Sequence, residues 1–358
     1  MPERGVIGWD IGGAHVKAAR WQGGAIVDAV QWPCPLWQGM DRLDAALDAA
    51  RARWPDLAAQ AQAVTMTGEM VDLFEHREQG VARIAARLAE ALPAPRFFAG
   101  TGWPAAHEAA AHWQRIASAN WLATARHAAR ALPADDGLLL DIGSTTTDLV
   151  ALRRGHVLGE NGTDAQRLAS GELVYLGVVR TPLCALARRI AWRGRPHNVM
   201  NEFFATTADV YRLSGELDPE HDQHPSADNA PKDAHHTRAR LARMIGLDER
   251  DGSAAQWAEF AAAWRAAQLA EWHEQLRRVI ALHDLRPGAT LVAAGCGAFL
   301  AGELLPPGWR LAHYADAVAR VAGGDAALRR WVQVGAPAAA VASLYAERIA
   351  EEAAPCGS

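Results

Sequence analysis

The strongest constraint on what this chain folds into is a pattern that occurs twice. Val6-Ile7-Gly8-Trp9-Asp10-Ile11-Gly12-Gly13-Ala14 leads into His15–Trp21, a Gly23-Gly24 turn and a second strand-like run, Ala25–Trp32. About 130 residues later, Leu138-Leu139-Leu140-Asp141-Ile142-Gly143-Ser144-Thr145 leads into Thr146–Leu152, an Arg154-Gly155 turn and Val157-Leu158. Each reads as strand, acidic-glycine turn, strand, turn, strand. One such unit is an ordinary hairpin; two of matching layout predict two related lobes facing each other.

Helical periodicity fills the chain between and after the hairpins, so the fold class is α/β. Leu43, Leu47, Ala50 and Trp54 recur at helical spacing after Asp41, and the Ala-rich stretch 105–131 reads as a long helical region. Trp257, Phe260, Trp264, Trp272, Leu276 and Ile280 line another long helix, which Pro287-Gly288 ends, and their aromatic stripe is expected in the core. Thr290–Ala294 reads as a short buried strand opening onto Gly295-Cys296-Gly297-Ala298, and 338–352 as a last helix. The predicted division is residues 1–133, with helix 338–352 packing back on them, and 134–337. Ser214–Thr237, rich in Asp, Pro and His (His221, His224, His235, His236), reads as a mobile loop rather than a metal site.

Composition excludes several classes. In 358 residues, half hydrophobic and 22% charged, there is enough apolar material for a sizeable core. A formal charge of −5 gives no surplus to neutralise a phosphate backbone, so no nucleic-acid partner is expected. Of the 36 basic residues only Lys17 and Lys232 are lysines, a bias that reflects base composition. Cys34, Cys184, Cys296 and Cys356 have no metal-ligand spacing. Met1-Pro2-Glu3-Arg4 runs straight into a strand without a secretory pattern, and no run reaches the roughly 20 apolar residues of a membrane span, so no membrane partner is expected and a cytoplasmic protein is.

A strand that ends in Asp followed by small residues suits phosphate chemistry. The carboxylate holds a divalent cation, and glycines let backbone N–H groups approach phosphate oxygens. Asp10 and Asp141 are the candidate metal ligands. Gly12, Gly13 and Ala14 form one cradle; Gly143, Ser144, Thr145 and Thr146 form the other, with Gly295 and Gly297 as a third glycine turn. Lys17 reaches a phosphate as a point charge or is simply an exposed hairpin lysine. Asp148 is a further carboxylate on the second hairpin.

These turns resemble the phosphate and nucleotide motifs of the acetate kinase, sugar kinase, Hsp70 and actin superfamily, and within it the hydantoinase/oxoprolinase branch. Thr65-Met66-Thr67-Gly68-Glu69-Met70, Ile116-Ala117-Ser118-Ala119-Asn120-Trp121, Gly171-Glu172-Leu173-Val174-Tyr175, Arg180-Thr181-Pro182 and Asn201-Glu202-Phe203-Phe204-Ala205-Thr206 resemble proteins linked to tetrahydromethanopterin-dependent one-carbon transfer. The resemblance implies a two-lobed actin-like (ribonuclease H-like) fold with an interlobe cleft. Archaeal members of that family make the aryl ether of methanofuran, joining an aminomethyl-furanmethanol diphosphate to the phenol of γ-glutamyltyramine with release of diphosphate. A bacterial counterpart serves methylofuran, where a tyrosine-type phenol replaces tyramine.

On this reading the partners are a furan diphosphate and a phenolic acceptor, the cofactor is Mg2+, and a homodimer is allowed. The furan-methyl carbon loses diphosphate with charge delocalised into the ring, while a carboxylate deprotonates a phenol whose ordinary pKa is about 10. Glu69 is the favoured base, with Asp148 the other catalytic candidate. Glu172 is assigned to the aminomethyl ammonium and Arg180 to diphosphate, against the alternative of an ion pair between lobes. Asn120 is either a substrate contact or a packing hydrogen bond; Tyr175 and Trp121 stack on an aromatic substrate or simply pack. Two rivals remain, an ATP-dependent kinase or oxoprolinase-type enzyme using the same turns and a non-catalytic actin-like scaffold.

Overall fold

A computed structural model describes residues 5–159 and 162–353. Met1–Arg4 and Cys356 lie outside the described residues. The chain divides into two units: Met1–Gly137, Leu152–Glu160 and Ala312–Ser358 form the first, Leu138–Ala151 and Asn161–Leu311 the second.

The first unit is built on the first repeat. β1 (Val6–Ile11), β2 (His15–Gln22) and β3 (Ala25–Pro33) form an antiparallel meander. Gly23 and Gly24 join β2 to β3 at φ +59° and +85°, the two positive values that a tight two-residue hairpin turn needs. The chain then crosses over through helix Asp41–Arg53, and β4 (Ala61–Met66) pairs with β1 in parallel, from Val6↔Ala61 to Ile11↔Met66. β5 (Arg96–Phe97) closes the order β3-β2-β1-β4-β5. All of β1 and β4 is buried, as strands covered on both faces must be. Helix Ala336–Ala353 covers one face, so closely that a Cβ on Gly8 would stand 2.7 Å from the Ala342 nitrogen.

The stretch 105–131 is not one helix. It breaks into Ala106–Glu108, Trp113–Ile116 and Asn120–Ala131, with Ser118 at φ +52° between the last two. A high alanine content favours helix throughout, and the break at Ser118 coincides with a tertiary hydrogen bond, its hydroxyl donating to Glu69.

The second repeat gives β6 (Asp136–Ile142), β7 (Thr147–Arg153) and β8 (His156–Val157). Arg154 and Gly155 repeat the positive-φ turn at +47° and +82°. β9 (Leu173–Val174) pairs with β7, and β10 (Arg189–Trp192) with β11 (Arg195–Asn198) form a separate hairpin. β12 (Thr290–Ala294) and β13 (Arg310–His313) complete the order β13-β12-β6-β7-β8. Counted from the hairpin edge, both sheets run in the same order, the meander first and the later strands joined beside its opening strand.

In the second unit, helix Ala254–Leu282 starts from a Ser253/Gln256 capping box. Its buried stripe, Trp257, Phe260, Trp264 and Trp272, is core: Trp192 stacks on Trp257 at 4.2 Å, and Trp272 Nε1 donates to Thr147 Oγ1 at 3.0 Å. The segment expected to be a mobile loop is pinned. Arg212 and Lys232 hold Asp222, and the fully buried Arg240 bonds Asp209 and Asp228 at 2.8 and 3.1 Å. Among the described residues no helix is long and apolar enough to cross a membrane, and no three His, Cys, Asp or Glu groups converge as a metal set.

Candidate functional site

In the first unit the turn after β1 brings Asp10, Gly12, Gly13, Ala14, Lys17 and Glu69 into one neighbourhood. Asp10 and Lys17 face each other across the β1–β2 register, with Nζ 3.9 Å from the carboxylate, and Asp10 is 4% exposed. The Gly12 N–H donates to the His15 carbonyl at 3.0 Å, closing the turn, while the Gly13 and Ala14 carbonyls accept from Leu36 and Cys34. The loop after β4 runs directly beneath: Thr67 N–H donates to the Ile11 carbonyl, and a Cβ on Gly13 would stand 2.8 Å from Val71 Cγ1. Glu69, buried in that loop, accepts a hydrogen bond from Ser118 Oγ at 2.9 Å. Asn120 opens its helix and turns its Oδ1 back to the Trp121 N–H, and Trp121 itself is buried.

In the second unit three segments meet around Asp141 and Ile142. The Gly143 N–H donates to the Thr146 carbonyl at 2.8 Å, and the turn's other carbonyls point inward: Gly143 O accepts from Val178, and Ser144 O from Val179 and Arg180. Among the described residues, the N–H groups of Ser144, Thr145 and Thr146 donate to no protein acceptor, and all three residues are half-exposed. A turn that ties its carbonyls inward and leaves successive N–H groups outward is an anion nest. The Gly295–Gly297 turn crosses behind it. Gly295 sits at φ +83°, and a Cβ there would stand 2.5 Å from Asp141 Oδ1; the Gly297 N–H donates to the Ile142 carbonyl at 2.8 Å.

Arg180 lies on this turn, with Nη1 3.3 Å from Thr145 Oγ1. Burial pulls its guanidinium below the ordinary value, against the opposing influence of Tyr175. Tyr175 is 57% exposed. The remaining candidates sit in ion pairs within the second unit. Asp148 accepts from the buried Arg167 at 2.8 Å, and Glu172 bonds His283 at 2.7 Å and Ser170 at 2.6 Å. Burial opposes the charged form of Glu172, but the His283 and Ser170 hydrogen bonds outweigh it and hold its carboxyl below the ordinary range.

Two residues that matter to this geometry escape local sequence reading. Gly177 presses on the nest: a Cβ there would stand 2.5 Å from both the Ser144 carbonyl oxygen and the Thr145 nitrogen. Its own peptide is locked, the N–H donating to Thr181 Oγ1 and the carbonyl accepting from Thr181, Thr207 and Gln268. A lone glycine inside the apolar run Leu176–Val179 is the available signal, since such glycines mark close backbone approach. Ser118 is the other, and a hydroxyl amid helix-forming alanines is its signal.

A profile of the hydantoinase/oxoprolinase family matches residues 60–306. The chain belongs to the hydantoinase/oxoprolinase family. Within it the chain is 31% identical over 246 residues to the (4-{4-[2-(gamma-L-glutamylamino)ethyl]phenoxymethyl}furan-2-yl)methanamine synthase of Methanocaldococcus jannaschii, covering 68% of this chain and 72% of that one. It is 32% identical over 111 residues to the protein of the same name from Methanococcus vannielii, covering 31% of this chain and 50% of the other. The solved structure of nucleotide-free acetone carboxylase superposes with a TM-score of 0.55 at 11% identity, over 94% of this chain and 70% of that one. That likeness is one of fold, and the fold of this family member is the α/β actin-like, ribonuclease H-like one.

Proposed function

We propose that this hydantoinase/oxoprolinase family member is an enzyme of methanofuran-type biosynthesis that joins an aminomethyl-furanmethanol diphosphate to a tyramine- or tyrosine-type phenol, releasing diphosphate. The observation that carries the reading is the Ser144–Thr146 nest, with three uncommitted N–H donors beside Arg180 and Asp141. Backbone donors and a guanidinium are what a departing diphosphate requires. The name shared by the two archaeal relatives contains a phenoxymethyl link to a furan, and the methylene–oxygen bond of that link is the one assigned here.

In the step, the phenol oxygen attacks the furan-bound methylene as the carbon–oxygen bond to diphosphate breaks. The bonding pair leaves on diphosphate, and the phenol proton passes to a carboxylate, which we assign to Glu69. The nest and Arg180 hold the leaving oxyanions. Glu172 pairs the aminomethyl ammonium, and Asn120 and Tyr175 contact the acceptor. Asp148, held by Arg167, is a second carboxylate rather than the base. The donor set suits magnesium: Asp141 offers a hard carboxylate against which the Gly295 turn packs without a side chain, and Asp10 offers another in the first unit. When bound, magnesium would supply charge neutralisation on the phosphates.

The test incubates purified protein with the furan diphosphate and each phenol, following the ether by mass spectrometry and diphosphate by a coupled assay, with an ATP titration alongside. Ether formation without ATP, abolished by Asp141→Ala, is expected. ATP binding with phosphoryl transfer and no ether would overturn the reading in favour of a kinase.

A further inference from the structure

Ser118 adopts a backbone conformation that neither of its flanking helices needs. At φ +52° it lies in the left-handed region, which a residue with a Cβ enters only against steric resistance and glycine enters freely. The helix before it ends at Ala117, and the helix after it is capped from Ala119 without a side-chain hydrogen bond, so Ser118 caps neither. What the conformation does achieve is the aim of Oγ. The residue is 7% exposed, and its hydroxyl donates to Glu69 Oε1 at 2.9 Å, with Met70 Sδ at 3.4 Å.

Glu69 is gripped from a second direction as well. A Cβ on Gly80 would stand 2.5 Å from the Glu69 carbonyl oxygen and 2.8 Å from its Cα and Cβ, so helix Arg77–Ala91 lies against the residue's backbone. The carboxyl that results is 1% exposed and has its plane set by a hydroxyl held in a strained loop. Strain of this kind persists where the surrounding structure over-determines it, and it gathers at sites that need a group aimed.

We infer that Ser118 is a positioning residue whose left-handed backbone directs its hydroxyl hydrogen to Glu69 Oε1 and thereby orients Oε2 for proton acceptance. This rests on the reading of Glu69 as the base. Ser118 keeps its own proton throughout; the proton that moves is the phenol's, and it ends on Glu69.

The experiment separates hydroxyl from backbone. Ser118→Ala keeps the strained backbone and loses the donor; Ser118→Gly loses both donor and strain; Ser118→Thr keeps a donor and worsens the strain. Ether-forming kcat is expected to follow the hydroxyl, falling on the order of 10- to 100-fold in the Ala and Gly variants with KM within about threefold, the scale of a misplaced catalytic group. Melting temperature is expected to follow the backbone instead, with Gly at or above wild type and Ala below Gly. Adding Ser118→Ala to Glu69→Gln is expected to cost nothing further, because the serine acts through the carboxylate. If Thr does not fold, the Ala, Gly and double variants carry the test alone. No ether from wild type, or full activity in Glu69→Gln, refutes the base and the positioning role with it. Activity lost in Glu69→Gln but kept in Ser118→Ala and Ser118→Gly, or lost further in the double variant, refutes the positioning role alone.

Discussion

Replacing Gly177 by alanine perturbs the nest while leaving every side chain assigned to the chemistry unchanged. The added methyl would stand 2.5 Å from the Ser144 carbonyl oxygen and from the Thr145 nitrogen, whereas ordinary contact begins near 3.4 Å. One side must retreat by about 0.9 Å, the gap between those two distances. Gly177 cannot, because Thr181, Thr207 and Gln268 hold its peptide on both faces at 2.8–3.2 Å. The turn therefore moves. Overpacking of this kind costs about 1–3 kcal/mol of stability. A displacement near 1 Å in the groups that receive the leaving oxyanions costs on the order of 100-fold in turnover. Urea denaturation measures the first quantity, and calorimetric titration with inorganic diphosphate, beside the ether assay, measures the second. Gly302→Ala is the matched control: a Cβ there meets nothing within 4 Å, so stability should stay level or rise by up to about 1 kcal/mol with diphosphate binding intact. Wild-type diphosphate affinity in Gly177→Ala would refute the nest as the phosphate site.

Two further outcomes follow from the same geometry. Arg180→Gln keeps a donor beside Thr145 but removes the charge, and diphosphate affinity should fall about 10- to 100-fold, a charged hydrogen bond being worth roughly 1.5–3 kcal/mol; a titration showing less than a twofold change would remove Arg180 from the site. His127 is buried against the Tyr314 hydroxyl at 2.7 Å, and burial pushes it down to about 4, with Arg130 and Arg320 adding to the effect. Its folded value lies below the ordinary 6.5, so the unfolded chain takes up a proton that the folded one refuses. Stability should be full above about pH 6.5 and decline toward pH 4 by on the order of 3 kcal/mol, and His127→Gln should flatten that decline; equal slopes in urea melts would contradict the assignment.

What the sequence made legible was whatever depends on neighbours along the chain. Gly23-Gly24 and Arg154-Gly155 announce tight turns because a two-residue hairpin demands positive φ, and the tryptophan stripe of Ala254–Leu282 announces a buried face because its period is helical. Contacts between distant segments were not legible. The break at Ser118 coincides with a contact to Glu69, 49 residues earlier, and a hydroxyl among alanines hints locally at a break but not at its partner. Gly177 needs to be glycine because of a peptide 33 positions away rather than because of its own φ. The histidine- and aspartate-rich stretch looks solvated by composition, yet its carboxylates are claimed by Arg212 and Arg240, which lie on helices whose spacing advertises only their apolar faces. The glycine turns were thus readable, while the distant residues that pack against them were not.

The repeat itself sets the last expectation, since the two turns share a layout but are buttressed differently. Behind the second turn, Gly177 and Gly295 press on backbone atoms and on Asp141, and Gly297 on the fully buried Ile142 and Val178 side chains, which leave little room to yield. Behind the first, Gly13 faces the Val71 side chain at 2.8 Å, and Val71 is only partly buried. A side chain with an open flank can rotate away, so Gly13→Ala should cost under about 1 kcal/mol, less than Gly177→Ala, although a Cβ at either position would stand closer than an ordinary contact. If diphosphate is held by the second unit, Gly13→Ala should also leave its affinity within a factor of about two, set against the 100-fold turnover loss argued for Gly177→Ala. Parallel urea melts and diphosphate titrations of the two variants decide the matter. Equal losses in both would mean that the first turn is as rigidly backed as the second and contributes to phosphate binding in its own right, and the assignment of the nest to Ser144–Thr146 alone would fail.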